Sequence, residues 1–299
     1  MSTIDTPTST APPVRSRKPT GGRLGRHGLR FVALGYLALL LAIPVGMVFY
    51  RMLEDGLAAV WDELTSPAFL HALKVTLIIV AIAVPANTIF GVLCALTVVR
   101  RGSGRGNWLL NSAIGLPLAL SPVVVGLSLI LVYGQNGWLG SWFLENGIQI
   151  IFSLPGMVLA TIFVSLPFVV REVVPVLREV GTDQEEAAWT LGASRTATFW
   201  RITLPAIRWG IAYGVVLTTA RALGEYGAVA VVSGRIVGST ETLTLHIDER
   251  FLAFDQTGVY TTAVVLAVLA VSTLIAINLM GRKERLRGDH RPAGDEALR

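Results

Sequence analysis

The chain has 299 residues, of which 53% are hydrophobic and 15% charged, and its mean hydropathy is +0.61. Soluble domains carry about 25% charged residues, so this composition excludes an ordinary soluble fold and points to a polytopic membrane protein. The net charge is +5, and arginine supplies 22 of the 25 cationic side chains; beside apolar runs, such residues set membrane topology and do not mark a nucleic-acid surface.

Residues 1–30 are rich in Ser, Thr, Pro, Gly and Arg and too poor in apolar side chains to bury a core, so they read as a disordered basic tail. The run Phe31–Tyr50 is long enough to span a bilayer. No small-residue cleavage site follows it, so it reads as a retained first span and not a removed signal. Spanning takes about 20 mainly apolar residues. Six segments meet that length: 31–50, 73–99, 108–133, 150–174, 206–233 and 257–280. The predicted organisation is a tail over 1–30, a transmembrane domain over 31–280 with an inner loop at 175–205, and a C-terminal tail over 281–299. The fold class is all-α.

Cationic residues set the orientation. With the N-terminus in the cytoplasm, 20 Arg/Lys fall on the inner side and four (Arg51, Lys74, Arg235 and Arg250) on the outer side. That bias places both termini in the cytoplasm. On the outer side, residues 51–72 are acidic. Residues 239–256 space Leu243, Ile247, Phe251 and Phe254 as on one helix face, which predicts a short amphipathic helix. Lipid packing and a docking surface both fit it.

Cys94 is the single cysteine, so an intrachain disulfide and a cysteine metal site are excluded. His27, His71, His246 and His290 are scattered without metal spacing and read as loop or terminal residues. The inner loop contains "EEAAWTLGASRTATFWRITLP", Glu185 to Pro205. Thr182 followed by Glu185 has capping-box spacing, Gly192 is placed to end a helix, and Ser194 to start a second. Pro205 suits the first turn of the fifth span. Two short helices result, which either dock in a partner's groove or pack on their own bundle.

The pattern Glu186-Ala187-Ala188, three residues, Gly192, nine residues, Ile202-Thr203-Leu204-Pro205 resembles the EAA loop of ABC importer permeases at every signature position. The resemblance implies a type I importer-like permease with about six transmembrane helices and a cytoplasmic coupling helix. It assigns ATPase coupling to Glu186, Ala187, Ala188, Gly192, Ile202, Leu204 and Pro205, with Glu186 and Gly192 as the key positions. It also implies a pair of cytoplasmic ABC ATPase subunits that carry ATP and Mg, so this chain binds no cofactor itself. The three lysines (Lys18, Lys74 and Lys283) are followed by Pro, Val and Glu, so none closes a P-loop.

"GLPLALSPVVVGLSL" (Gly115–Leu129) and "ARALGEYGAVAVVSGRI" (Ala220–Ile236) resemble sulfate/thiosulfate permeases, the second being closer to the CysW-type than to the CysT-type subunit. Molybdate permeases share the Gly224–Ala228 core. The resemblance implies a bacterial inner-membrane subunit paired with a second, CysT-type permease and served by an extracytoplasmic sulfate-binding protein.

Arg221 lies 16 residues beyond Pro205, about 24 Å along a helix. A charge near the bilayer centre costs about 2.5–3.5 kcal/mol on insertion scales, so Arg221 must face protein or a wet path. Glu225 follows at i+4 on the same face. The pair reads as a structural ion pair or as a gate for a dianion. Ser121 and Pro122 interrupt the third span, either as local repair of a kink or as a hydroxyl offered to an anion. Ser121, Pro122, Arg221, Glu225 and Tyr226 are the candidate path or gate residues. Gly210 and Gly214 read as a helix-packing pair. A membrane-embedded enzyme would need a catalytic constellation within the spans, which is missing. An ion-coupled secondary transporter would line its midplane with ionisable residues, for which only Arg221 and Glu225 qualify.

Overall fold

The computed structural model describes residues 23–100 and 105–288, and every regular element among them is helical. Two compact units divide between Met47 and Val48. The first contains most of α1 (Arg23–Leu53), whose apolar window has no buried residue. A helix that is apolar all round and uncovered by protein is matched to lipid. The tail expected over 1–30 lies partly outside the described residues, and the helix begins at Arg23.

The second unit starts with α2 (Gly56–Thr65) and α3 (Pro67–Arg100). At 34 residues, α3 is about 51 Å long and outreaches the roughly 30 Å hydrocarbon layer. It packs most extensively against α7 (Leu154–Val180), and α10 (Leu204–Leu223) lies against both. Gly210 and Gly214 explain the close approach of α10. A Cβ on Gly214 would lie 2.9 Å from the Val169 Cα, and one on Gly210 would lie 3.1 Å from the Glu172 carbonyl oxygen. The packing reading of these glycines holds. The last long helix, α13 (Gln256–Gly288), packs on α10 and on α12 (Leu243–Leu252).

Five of the six expected spans contain helices long and apolar enough to cross a membrane, namely α1, α3, α7, the run Arg195–Leu223 that ends in α10, and α13, but two of the six do not follow the expected course. The 108–133 segment is not one helix: α4 (Arg105–Ala119) and α5 (Pro122–Tyr133) meet at 112°. Each arm, at about 18–22 Å, is too short to cross alone. Segment 206–233 ends as a helix at Leu223, and a separate helix, α11 (Gly227–Val232), follows after Gly224–Tyr226. Hydropathy averages over such corners because Gly and Pro are tolerated within apolar runs.

Two cores are stacked along α3 and α7. One joins Val75, Ile79, Val125, Met157, Val229 and Leu245; the other joins Val92, Val98, Val173, Leu177 and Ile207. Between them the Asn87 side-chain amide donates to the Ser165 hydroxyl at 2.8 Å, a polar link across the main helix pair. Short elements close the chain path: α6 (Gly140–Glu145), α8 (Asp183–Thr190), α9 (Arg195–Thr198) and a π-turn (Phe199–Thr203).

Candidate functional site

The loop after α7 folds as two short helices. Gly192 ends α8 with φ +84°, a left-handed conformation that glycine adopts cheaply. The Gly192 N–H donates to the Trp189 carbonyl and the Ala193 N–H to the Ala188 carbonyl, both at 3.0 Å. Those two bonds form a Schellman motif. The Ser194 hydroxyl caps α9 by accepting from the Ala197 N–H at 3.3 Å. Pro205 stands in the first turn of α10. The helix does not start there, because α9, the π-turn and α10 run on without a break.

The capping box is not formed. The Thr182 hydroxyl donates to the Glu186 carboxylate at 2.8 Å, and Glu185 turns inward and is only 7% exposed. One carboxylate oxygen of Glu185 accepts from the Arg100 guanidinium and, at 2.6 Å, from the Thr203 hydroxyl. Arg100 also donates to the Gly181 carbonyl at 3.2 Å. The spacing rule failed because a cation at the end of α3 outbids a backbone N–H for this carboxylate. Glu186, Ala187 and Gly192 face outward, Ala188, Ile202 and Leu204 are half-buried, and Pro205 is exposed. Around them Trp189, Trp200 and Leu191 are uncovered, Leu191 at 88% exposure. An apolar surface of this kind on a polar loop marks a contact site.

The two helix breaks face each other. Ser121 is the exposed N-cap residue of α5 and makes no side-chain capping bond, and Pro122 occupies the first turn. A Cβ on Gly227 would lie 3.0 Å from the Pro122 Cβ, so the α10–α11 joint rests on the α4–α5 corner. Arg221 pairs with Glu225 at 2.5 Å, their side chains being 29% and 2% exposed. The other Glu225 oxygen accepts the Ala228 N–H at 2.8 Å, and its backbone carbonyl accepts the Thr244 hydroxyl at 2.8 Å. Glu225 therefore ties together the end of α10, the start of α11 and α12. Tyr226 turns elsewhere: its hydroxyl accepts from Arg235 at 3.1 Å, and Arg235 also donates to Asp248 at 2.7 Å. A cavity of roughly 10 Å³, enough for one water, lies beside Thr76, Thr161, Glu225 and Thr242.

At the other end of α3 lies a feature that sequence reasoning missed. The amphipathic helix is present as α12, but its buried face carries Leu243, Leu245 and His246, while Phe251 and Phe254 are exposed. His246 is neither a loop nor a terminal residue; it is 1% exposed. Its Nδ1 bonds Glu241 at 2.8 Å and its Nε2 bonds Glu63 of α2 at 2.7 Å. Arg250 braces Glu63 at 3.1 Å and Asp255 at 3.2 Å, and Phe69 of α3 meets the imidazole edge-on. Burial alone would lower the His246 pKa; the bonds to Glu241 and Glu63 outweigh it and raise the value from 6.5 to about 9. Burial likewise pushes the Glu241 carboxyl up, and bonding to His246 carries it below its ordinary value. The Glu249 carboxyl, beside Glu241, is raised. Among the described residues, Glu241, His246 and Glu249 could hold a metal ion. Both ring nitrogens of His246 are already engaged by carboxylates, however, Nδ1 by Glu241 and Nε2 by Glu63. His71 lies within α3 and His27 within α1, so neither is a loop residue; His290 lies outside the described residues.

A family model described as "Binding-protein-dependent transport system inner membrane component" matches residues 87–286. The sulfate transport system permease protein CysW of Synechocystis sp. is 50% identical over 260 residues, covering 87% of this chain and 93% of that protein. CysW of Escherichia coli strain K12 is 46% identical over 251 residues, covering 83% and 86%. Among solved structures, a bacterial ABC transporter involved in the import of the acidic polysaccharide alginate has the same fold, with a TM-score of 0.72 at 18% identity, covering 86% of this chain and 95% of that chain. The two-helix loop, both helix breaks and α12 all fall within the family match, and the chain belongs to the binding-protein-dependent transport system inner membrane components, a multi-pass membrane family.

Proposed function

We propose that this chain is the CysW-type permease subunit of an ATP-driven importer that carries sulfate, thiosulfate or both into a bacterial cytoplasm. The observation that carries the substrate reading is the 46–50% identity to CysW proteins over 83–87% of the chain. Helix α8 is the docking element for a cytoplasmic ABC ATPase pair, on which ATP and Mg are bound. Its exposed Glu186, Ala187 and Gly192, with Trp189 and Leu191 beside them, form a face that fits a partner groove, and Ile202, Leu204 and Pro205 connect that face to α10. Both termini are cytoplasmic, as the cationic bias indicates, which puts α12 on the outer side, towards a sulfate-binding receptor. A second, CysT-type permease completes the membrane pore.

Along the path, Arg221 is the group available to a dianion. Its pairing with buried Glu225 favours a structural role for the pair itself, with Ser121, Pro122 and Tyr226 set around the same joint. The test is uptake of labelled sulfate by the complex reconstituted in proteoliposomes, with thiosulfate and molybdate as competitors. Uptake that requires ATP and is blocked by thiosulfate is expected. Uptake by this chain alone, driven by an ion gradient, would overturn the ATP-coupled reading. Blocking by molybdate with no effect of excess sulfate would move the substrate to molybdate.

A further inference from the structure

We propose that Glu185 is a positioning residue of the transport cycle. With Arg100 and Thr203 it fastens the docking helix α8 to the inner ends of α3 and α10, so that a displacement of α8 moves both helices together. The inference rests on the reading of α8 as the ATPase docking element.

The local chemistry sets Glu185 apart from its neighbours. Helix α8 is eight residues long, and Asp183, Gln184 and Glu186 around it are exposed. A carboxylate that turns inward from so short a surface helix loses hydration, which only specific donors offset. Glu185 has two, from different elements: the Arg100 guanidinium in the last residue of α3 and the Thr203 hydroxyl in the π-turn. Arg100 uses its second nitrogen on the Gly181 carbonyl at 3.2 Å, so one planar guanidinium holds both the linker before α8 and the helix itself. A lysine cannot reproduce that fork.

The mechanical consequence follows from the packing. By backbone packing α8 rests on α9 and the π-turn; the Arg100–Glu185 bond brings in α3. Thr203 is buried and sits where the π-turn passes into α10, and π-turns inside helices are frequent at functional sites. Beyond it, α10 lies in near-backbone contact with α7 through Gly210 and Gly214, and close-packed helices transmit displacement without absorbing it. A push on α8 that reached only α9 could be lost in the π-turn. Glu185 bridges that turn on one side and reaches α3 on the other.

The experiment uses the full complex in proteoliposomes, with ATPase co-purification, ATP hydrolysis and labelled sulfate uptake measured on the same preparations. Variants E185Q, R100K and T203V are compared with T203S, which keeps the hydroxyl, and with E186R, which alters the outward face. The expected result is that E185Q and R100K retain the ATPase and hydrolyse ATP, while sulfate moved per ATP falls about tenfold or more, as for losing a charged hydrogen bond. T203V should fall and T203S should stay at the wild-type ratio. Wild-type sulfate per ATP in E185Q and R100K would overturn the proposal. E186R that still binds the ATPase and transports as wild type would instead remove the docking reading, so the two failures are distinguishable. Spin labels at Thr97→Cys and Thr190→Cys, in a Cys94→Ser background, cover the case of a misfolded variant. Their separation should be the same with and without ATP, and a nucleotide-dependent change would sink the strut.

Discussion

The buried imidazolium makes a quantitative demand on pH. His246 donates to Glu241 and Glu63 at once, and its pKa stands at about 9 against 6.5. A shift of that size is worth about 3 kcal/mol of differential stability. Because the folded value is the higher one, the stabilisation is complete below about 6.5 and is lost as pH rises through about 9. The carboxylates act in the opposite sense: Glu241, depressed by His246, loses its contribution as pH falls through its folded value. The groups facing the ring are Glu63 from α2, Glu241 from the preceding loop, Arg250 and Glu249 from α12, and Phe69 from α3. Of these, His246 is the group that titrates in the alkaline window. Two assays on the purified permease in nanodiscs read the effect. The imidazole carbon resonance of His246 should titrate near pH 9. The thermal midpoint should fall between about pH 6 and pH 9.5 in the wild type and stay flatter in His246→Gln. Titration of His246 near 6.5, or equal pH profiles for the two proteins, would refute the clasp.

Other outcomes follow from single contacts. Gly192→Ala places a side chain at φ +84° and should cost the α8 end about 1–2 kcal/mol, read as a several-fold drop in ATPase retention with membrane insertion intact. Glu225→Gln leaves a half-buried Arg221 without its charge partner and should lower the thermal stability of the permease by about 3 kcal/mol or more. Arg221→Gln separates the two readings of that pair, because preserved sulfate transport with reduced subunit assembly would rule out a gate. Gly227→Val forces a branched side chain towards Pro122, 3.0 Å from the new Cβ, and should cost about 1–3 kcal/mol, measured as a lower midpoint of thermal unfolding.

Much of the fold was legible because lipid enforces it: long apolar runs that must satisfy their own backbone become helices, and α1, α3, α7 and α13 are those runs. The local punctuation of the loop was also readable, since Gly192 and Ser194 act on their nearest neighbours. What escaped the sequence was decided by distant partners. Glu185 sits at capping-box spacing from Thr182, but its partner is Arg100, 85 positions away. His246 reads as an ordinary loop residue until Glu63, 183 positions away, is brought to its ring. The corner at Ser121–Pro122 and the joint at Gly224–Tyr226 were hidden for another reason, since both lie inside windows whose mean hydropathy is that of a continuous span.

These hidden features have a common arrangement. Among the described residues, buried or half-buried ion pairs stand at three notable places: Arg100–Glu185 at one end of α3, Glu63–His246–Glu241 near the other, and Arg221–Glu225 at the end of α10. A buried pair adds little net stability over an apolar one, but breaking it is costly, so it suits a joint that must keep one geometry. The first holds the end of α3 through Arg100, and the second joins α2 to α12 beside the start of α3, where Phe69 meets His246. The third stands at the joint where α10 gives way to α11, against the corner between α4 and α5. Gly227 allows α11 to seat on Pro122 with almost no space between them, so neither break can open without displacing the other. Arg221 stands beside these paired breaks, half-buried against Glu225, and that pairing favours a structural tie between the helices over a gate for a dianion.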